Sequence, residues 1–231
     1  MIRIKWHHHT KDSGFGNKLL LSCFAECYSI HSGQSVFNWL VTDILCGGDR
    51  DGVLVEDNQS VKWRHANIDT DTQEKVYIVG KGTALSDNEF HQNPSDISLI
   101  KQYKKLVVGD FGCRQGTFVH VRSLDRNRSP SIEYYKKCLS SSSIGYVSSD
   151  NPNHSTVRYL LDHFDLKLYE ETPEKTIIFA SAFDNKVLSL GTFSWWIGFI
   201  GNQNNVMYPN PDNYRKWHGP IFQCMDGWRK K

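Results

Sequence analysis

Four arginines lie within fifteen residues of one another: Arg114, Arg122, Arg126 and Arg128. Arginine has a planar guanidinium that matches the oxygens of a phosphate group in bidentate fashion. The cluster therefore indicates either a phosphate-binding site or a solvated basic loop. The elements that surround the arginines decide between these two interpretations.

Glycine turns elsewhere in the chain do not complete the common nucleotide-binding motifs. Gly14-Phe15-Gly16 lacks the third glycine of a dinucleotide-binding fingerprint. Residues 80–83 lack the earlier glycine of a P-loop and its Ser or Thr directly after the lysine. What remains at residues 14–16 is a turn that feeds a helix, whose N-terminal amides can face an anion or a sugar hydroxyl.

The second half of the chain alternates strands with helices. The predicted strands are residues 117–121, 144–148, 166–169, 187–190 and 206–208, and the predicted helices are residues 131–139, 155–164, 173–180 and 193–200. This alternation implies parallel βαβ units in a doubly wound α/β sheet. Because ligands of such sheets bind beyond the carboxyl ends of the strands, we expect the loops at residues 122–125, 149–150 and 191–192 to share one rim.

The first half has a less regular pattern. Residues 2–6 alternate apolar and charged side chains as a short strand does, and a helical pattern runs over residues 17–33. Strand-like runs lie at residues 53–55 and 76–79, and residues 96–103 have the pattern of a short helix. No repeat or low-complexity linker separates these segments.

The distribution of charge favours two domains. Residues 1–110 contain 12 Lys and Arg against 14 Asp and Glu, a net charge of −2, whereas residues 111–231 contain 15 against 11, a net charge of +4. The total of +2 argues against a general polyanion binder, so we expect no nucleic-acid partner. The apolar runs are too short to span a bilayer, and the N-terminus lacks the apolar segment of a signal peptide. These features predict a soluble cytoplasmic protein without membrane insertion.

Three segments in order resemble the α-1,2-fucosyltransferases, which belong to a wider superfamily that uses GDP-fucose. They are SGFGNKLLLSCFAECYSIHSG at residues 13–33, FVHVRSLD at residues 118–125 and LSLGTFSWWIGFIG at residues 188–201. They are similar to the family's Gly-x-Gly-Asn-Gln, His-x-Arg-Arg-Gly-Asp and Ser-x-Phe-Ser-Trp-Trp motifs. YVSSDNPNHSTVRYLLDHF resembles the family's strand-Ser-Asp-helix unit. The chain departs from the motifs where Lys18 replaces Gln, Ser123 replaces the second Arg and Leu124 replaces Gly.

The resemblance implies a GT-B-like α/β fold in which two Rossmann-like halves face a cleft. Residues 1–110 would then form an acceptor-side domain, and residues 111–231 would form the domain that binds the GDP-sugar. The implied reaction transfers L-fucose from GDP-fucose to a glycan hydroxyl, with inversion and without a metal or cofactor. The implied partners are this donor and a glycan acceptor.

The resemblance gives a role to each matching residue. Arg122 would bind the donor pyrophosphate and stabilise the charge that develops on leaving GDP, and its alternative is a surface salt bridge. His120 lies two residues earlier on the same strand face, where it binds the donor or holds Arg122. Gly16 and Asn17 would contact the donor from the other domain, while helix capping is the competing role of Asn17.

The remaining donor-binding residues follow two later strands. Asp150 can accept the N1 and N2 hydrogens of guanine, and its alternative is a helix cap. Thr192, Phe193 and Ser194 begin a helix, so their amides and hydroxyls can meet phosphates at the positive end of the helix dipole. We expect the tryptophans at 195 and 196 to pack between helix and sheet.

Two other function classes stay open. Asp69-Thr70-Asp71 has the Asp-x-Asp spacing of a metal site, which would make the protein a metal-dependent glycosyltransferase that uses another nucleotide sugar, although a solvated turn is the simpler interpretation. The triple histidine at residues 7–9 is a weaker metal candidate. The second class is a GDP-sugar-binding or glycan-binding module without turnover.

Overall fold

The computed structural model describes residues 2–6, 15, 16, 19, 36–37, 75–79, 111–123, 129–210 and 225–231. The chain divides into two compact units, Met1–Gly109 and Asp110–Lys231. Among the residues that the structure describes, no helix is both long enough and apolar enough to cross a lipid bilayer.

The first unit contains a three-stranded parallel sheet. Its strands are β1 (Ile2–Trp6), β2 (Val36–Phe37) and β3 (Lys75–Val79), in the order β2-β1-β3. The predicted strands at residues 2–6 and 76–79 are confirmed. The backbone is helical at residues 15, 16 and 19. The rest of the helix predicted for residues 17–33, the strand at 53–55 and the helix at 96–103 lie outside the described residues.

The second unit is built on a six-stranded sheet in which every pairing is parallel. Its elements are β4 (Arg114–Val121), α1 (Ile132–Cys138), β5 (Ile144–Ser149), α2 (Ser155–His163), β6 (Asp165–Leu168), α3 (Pro173–Ser181), β7 (Phe183–Val187), α4 (Thr192–Phe199), β8 (Asn205–Tyr208) and β9 (Arg229–Lys230). The strand order is β6-β5-β4-β7-β8-β9. Counted from β4, this is the order 3-2-1-4-5-6 of the Rossmann fold. The α/β class and the parallel sheet predicted for this half are confirmed.

Helices cover both faces of this sheet. On one face, Val119 and Val147 pack with Tyr135 of α1 and Leu160 of α2. On the other face, the Phe118 ring lies 6.2 Å from the Phe179 ring of α3. Because successive side chains of a strand point to opposite faces, this second face also receives His120 and Lys186, and Lys186 Nζ donates to the Ile200 carbonyl at the end of α4 at 2.8 Å. The sheet is therefore doubly wound.

The position of β7 differs from the prediction. Residues 187–190 were the predicted strand, but the strand is Phe183–Val187 and the apolar run that follows it is a buried loop. The polar residues of the strand are paired inside the sheet: Asn205 Nδ2 donates to Asn185 Oδ1 at 2.7 Å, and Asn185 Nδ2 donates to the Gly116 carbonyl at 3.2 Å. A prediction from hydrophobicity alone therefore places the strand at the apolar loop that follows it.

The start of β4 also differs from the prediction. The strand begins at Arg114 and not at Thr117, because an irregularity in its pairing with β7 between these two residues lets the strand extend toward its amino end. The irregularity leaves the carboxyl end in register, where Val119 pairs with Val187.

Candidate functional site

The candidate site lies where the connections from neighbouring strands part to opposite faces of the sheet. The chain leaves β4 toward α1 on one face and leaves β7 toward α4 on the other. The last paired residues of these two strands are Val119 and Val187, and we call the region beyond them, where the two chains part, the crevice. In open α/β sheets this switch point is where ligands bind.

Two buried tyrosines of α1 hold the backbone on both sides of the crevice. Tyr134 Oη donates to the Leu188 carbonyl at 2.8 Å, just past β7, and Tyr135 Oη donates to the His120 carbonyl at 3.2 Å, near the end of β4. Both tyrosines are almost inaccessible to solvent. The crevice therefore has a backbone anchored from the interior, on which side chains can be positioned precisely.

Arg122 is the first residue after β4, and its backbone and its side chain both meet the loop after β7. Its N–H donates to Ser189 Oγ at 3.2 Å. A Cβ built on Gly191 would collide with Nη1 of Arg122. Gly191 also has a φ of +108°, a backbone conformation that residues with a Cβ rarely adopt. The guanidinium therefore lies in the space that a Cβ at position 191 would occupy, and the positive φ favours glycine there.

Gly191 is also the N-cap of α4, so the guanidinium lies at the start of this helix. The Gly191 carbonyl accepts from Trp195 N at 3.0 Å, which is the first hydrogen bond of the helix. The first turn contains no acidic residue. The Ser194 hydroxyl oxygen accepts from Ser189 N at 2.6 Å and so joins this turn to the loop that precedes it.

The electrostatics of this arrangement favour an anion. Among the residues that the structure describes, the ion pairs are Lys136–Glu133 and Lys175–Glu171, both solvent-exposed, and Arg122 belongs to neither. A cation beside the N-terminus of a helix is repelled by the positive end of the helix dipole. Arg122 therefore adds to the positive potential at the start of the helix, and a bound anion such as a phosphate group would be attracted by both the guanidinium and the helix N-terminus.

His120 is a buried neutral side chain beside this site. Its ring lies 5.2 Å from the Phe193 ring on the first turn of α4, and it is 5 % exposed. Burial lowers the pKa of His120 to about 4, an effect that Asp150 opposes and Arg122 increases. Within the described part of the chain, its Nδ1 has no hydrogen-bond partner. An uncharged imidazole at this point adds no positive charge to the site.

We expect the neutral state of His120 to make the protein less stable in acid. The pKa of His120 is about 4 in the folded protein and 6.5 in the unfolded chain. As the pH falls from 6.5 toward 4, the unfolded chain binds a proton that the folded protein does not, so the free energy of unfolding decreases. Between pH 7 and pH 5 the loss should be about 2 kcal/mol. In urea unfolding, the free energy of unfolding of His120→Gln should not show this decrease between pH 7 and pH 5. The control His163→Gln, changed at the exposed end of α2, should show the same decrease as the wild type. Identical pH profiles for wild type and His120→Gln would contradict the assignment.

Asp150 joins the ends of β4 and β5. Its Oδ1 accepts from Ser123 N at 2.7 Å and from Ser123 Oγ at 2.8 Å. The N-cap of α2 is His154, which accepts from Thr156 N, so the alternative that Asp150 caps this helix is wrong. Ser123 stands where the resemblance places a second arginine, and here it fixes the carboxylate at the rim.

The structure brings together most of the predicted residues of the second unit. His120 and Arg122 meet the helix start formed by Thr192, Phe193 and Ser194, and Asp150 is linked to the residue after Arg122. Gly16 lies in the first unit, where it is buried and helical. Asn17, the Asp69-Thr70-Asp71 segment and the triple histidine lie outside the described residues. Within the described ranges, no group of three His, Cys, Asp or Glu is placed to hold a metal ion.

Sequence reasoning missed Ser189, and it placed Ser123 and Gly191 in rim loops without giving either of them a role in the site. Each lies in a loop directly after a strand, and the Ser189 loop was hidden because residues 187–190 were predicted as strand. The sequence signal that could have identified the two serines is a small polar residue just past the carboxyl end of a parallel strand, where ligands bind. Comparison of the chain with family models, with curated proteins and with solved structures found no match.

Proposed function

We propose that the protein is a glycosyltransferase that transfers L-fucose from GDP-fucose to a glycan hydroxyl. The main support is the Arg122 guanidinium, which lies against the N-cap of α4 at the switch point of a Rossmann-ordered sheet without a carboxylate partner among the described residues. A pyrophosphate is a dianionic group that a guanidinium and a helix N-terminus both attract. The resemblance of three segments to the α-1,2-fucosyltransferases supports GDP-fucose as the donor and a GT-B-like arrangement of the two units.

Leaving-group stabilisation is the chemistry that this site supplies. In the transfer, the bond between C1 of fucose and the β-phosphate oxygen breaks, and its electron pair stays on GDP. The acceptor oxygen bonds to C1 from the opposite face and releases its proton to solvent. Negative charge thus grows on the phosphate oxygen in the transition state, where a guanidinium and a helix N-terminus stabilise it most. These groups do the work for which other glycosyltransferases use a divalent cation, so the proposed reaction requires no metal.

The guanine base is proposed to lie toward Asp150. Ser123 holds Oδ1 of this carboxylate with two donors, which limits its rotation and orients Oδ2. A carboxylate that accepts from guanine N1 and N2 distinguishes guanine from adenine, which lacks that pair of donors. Asp150→Ala should relax the base preference before it lowers stability greatly, because the side chain is exposed.

A donor screen tests the proposal. The full-length protein is incubated with GDP-fucose, GDP-mannose, UDP-glucose and a mixture of glycan acceptors, and the released nucleotide is measured with and without EDTA. We expect GDP release from GDP-fucose in both conditions, and a rise in melting temperature with GDP that UDP and ADP do not match. A ligand at a hundred times its Kd adds about 2.7 kcal/mol of stability.

The same screen separates the alternatives. Release of UDP, or activity lost in EDTA and recovered with Mn²⁺, would favour the metal-dependent enzyme with its Asp69-Thr70-Asp71 segment. Stabilisation by GDP-fucose without any release of GDP would favour the non-catalytic binding module. Equal stabilisation by GDP and UDP would overturn the guanine assignment.

A further inference from the structure

Ser189 is the residue through which the loop after β7 touches the end of β4. Its side chain is fully buried, and its hydroxyl oxygen accepts from Arg122 N at 3.2 Å. Its own N–H donates to Ser194 Oγ at 2.6 Å. One residue thus connects the backbone of Arg122 to the first turn of α4 by two successive hydrogen bonds.

These hydrogen bonds replace the sheet ladder at the point where the ladder ends. The last paired residues of β4 and β7 are Val119 and Val187, and beyond them the two chains part toward opposite faces of the sheet. A hydroxyl that bridges the gap extends the connection between the two chains without closing the crevice. The connection fixes where the Arg122 backbone lies relative to the start of the helix.

The guanidinium depends on a fixed backbone to keep its position beside Gly191. It lies against Gly191, in space that a Cβ at that position would fill. The positive end of the helix dipole repels a cation at this position. A long side chain also has many rotamers in which it does not face the helix. Restraining its backbone removes part of this freedom before a ligand binds.

We propose that Ser189 is a positioning residue, which acts through Arg122 to hold its guanidinium at the start of α4 for an anionic ligand. This inference rests on the proposed function for the identity of the ligand. Ser194 supports Ser189 from the helix in the same way. Ser189 is not required to touch the ligand.

A double-mutant cycle tests this role. The affinities of wild type, Ser189→Ala, Arg122→Ala and the double variant for GDP and for inorganic pyrophosphate are measured by calorimetry at constant ionic strength. We expect Ser189→Ala to weaken binding about tenfold in the wild type, and to have no effect when Arg122 is already alanine. Its effect on stability should be the same in both backgrounds, because the backbone N–H of Arg122 is present in each.

The outcomes separate the inference from the proposed function. Equal loss of affinity in both backgrounds, or no loss in the wild type, would overturn the role of Ser189. Binding of pyrophosphate without preference for GDP would overturn the nucleotide assignment and still test Ser189, while a wild type that binds neither would overturn both. If Ser189→Ala does not fold, Ser189→Cys, whose thiol is a weaker acceptor for Arg122 N, should show the same dependence on Arg122. Ser189→Thr, which retains the hydroxyl, should recover more affinity than Ser189→Ala.

Discussion

Replacement of Arg122 by alanine should lower the turnover of GDP-fucose at least about a hundredfold. The guanidinium is held against the N-cap of α4, where the charge of the leaving GDP would grow during the reaction. An interaction that strengthens in the transition state lowers kcat as well as kcat/KM when it is lost. Steady-state release of GDP over a range of donor concentrations measures both constants.

Arg114→Ala is the matched control for this prediction. Arg114 lies at the opposite end of the same strand, is exposed, and stacks over the Phe179 ring at 4.7 Å. Its loss changes the net charge by the same amount but leaves the crevice intact, so turnover should stay within about twofold of the wild type. Equal losses in the two variants would show that general charge, and not the placement of Arg122, governs activity.

Replacement of Trp196 by alanine should lower the free energy of unfolding by about 3–5 kcal/mol. The side chain is fully buried, and its ring lies 4.8 Å from the Trp195 ring and 5.4 Å from the Phe199 ring. Removal of an indole from this cluster leaves a cavity that the surrounding helix and sheet can only partly fill. Unfolding in urea, followed by circular dichroism, measures the loss.

The control here is Ile178→Ala on α3, whose side chain is 46 % exposed and whose loss should cost less than about 1 kcal/mol. The packing role of Trp196 predicts a large change in stability. A Trp196→Ala variant of nearly normal stability that no longer binds GDP would instead assign the indole to ligand stacking.

Most elements of the second unit could be predicted because their sequence signals agree with one another. Thr172 and Pro173 mark the start of α3 by side-chain capping and a fixed φ, and both features are present in the structure. The exceptions are β9, which was not predicted, and β7, whose Asn185 and Lys186 contradict the apolar pattern of a buried strand. Their partners lie on β4, β8 and the end of α4, so only the assembled sheet explains them.

The residues of the candidate site that lie at or directly after a clear strand could be predicted from the sequence. Arg122 could be placed on the rim because a strand clearly precedes it, and His120 could be assigned to the same neighbourhood by its spacing. The close approach of Arg122 to Gly191 could not be predicted, since it depends on the path of a side chain from another strand. The same holds for Ser123, whose partner Asp150 is 27 residues away.

The most direct test of the central claim compares the binding of GDP and guanosine to wild type and Arg122→Ala. The two ligands share the base and ribose and differ in the pyrophosphate that the start of α4 is proposed to hold. Calorimetry at one ionic strength should show that wild type binds GDP at least about tenfold more tightly than guanosine, since hydrogen bonds to charged groups contribute about 1.5–3 kcal/mol. Arg122→Ala should lose most of this difference and keep its affinity for guanosine. Equal affinities of the wild type for the two ligands, or a variant weakened equally toward both, would contradict a pyrophosphate site at Arg122.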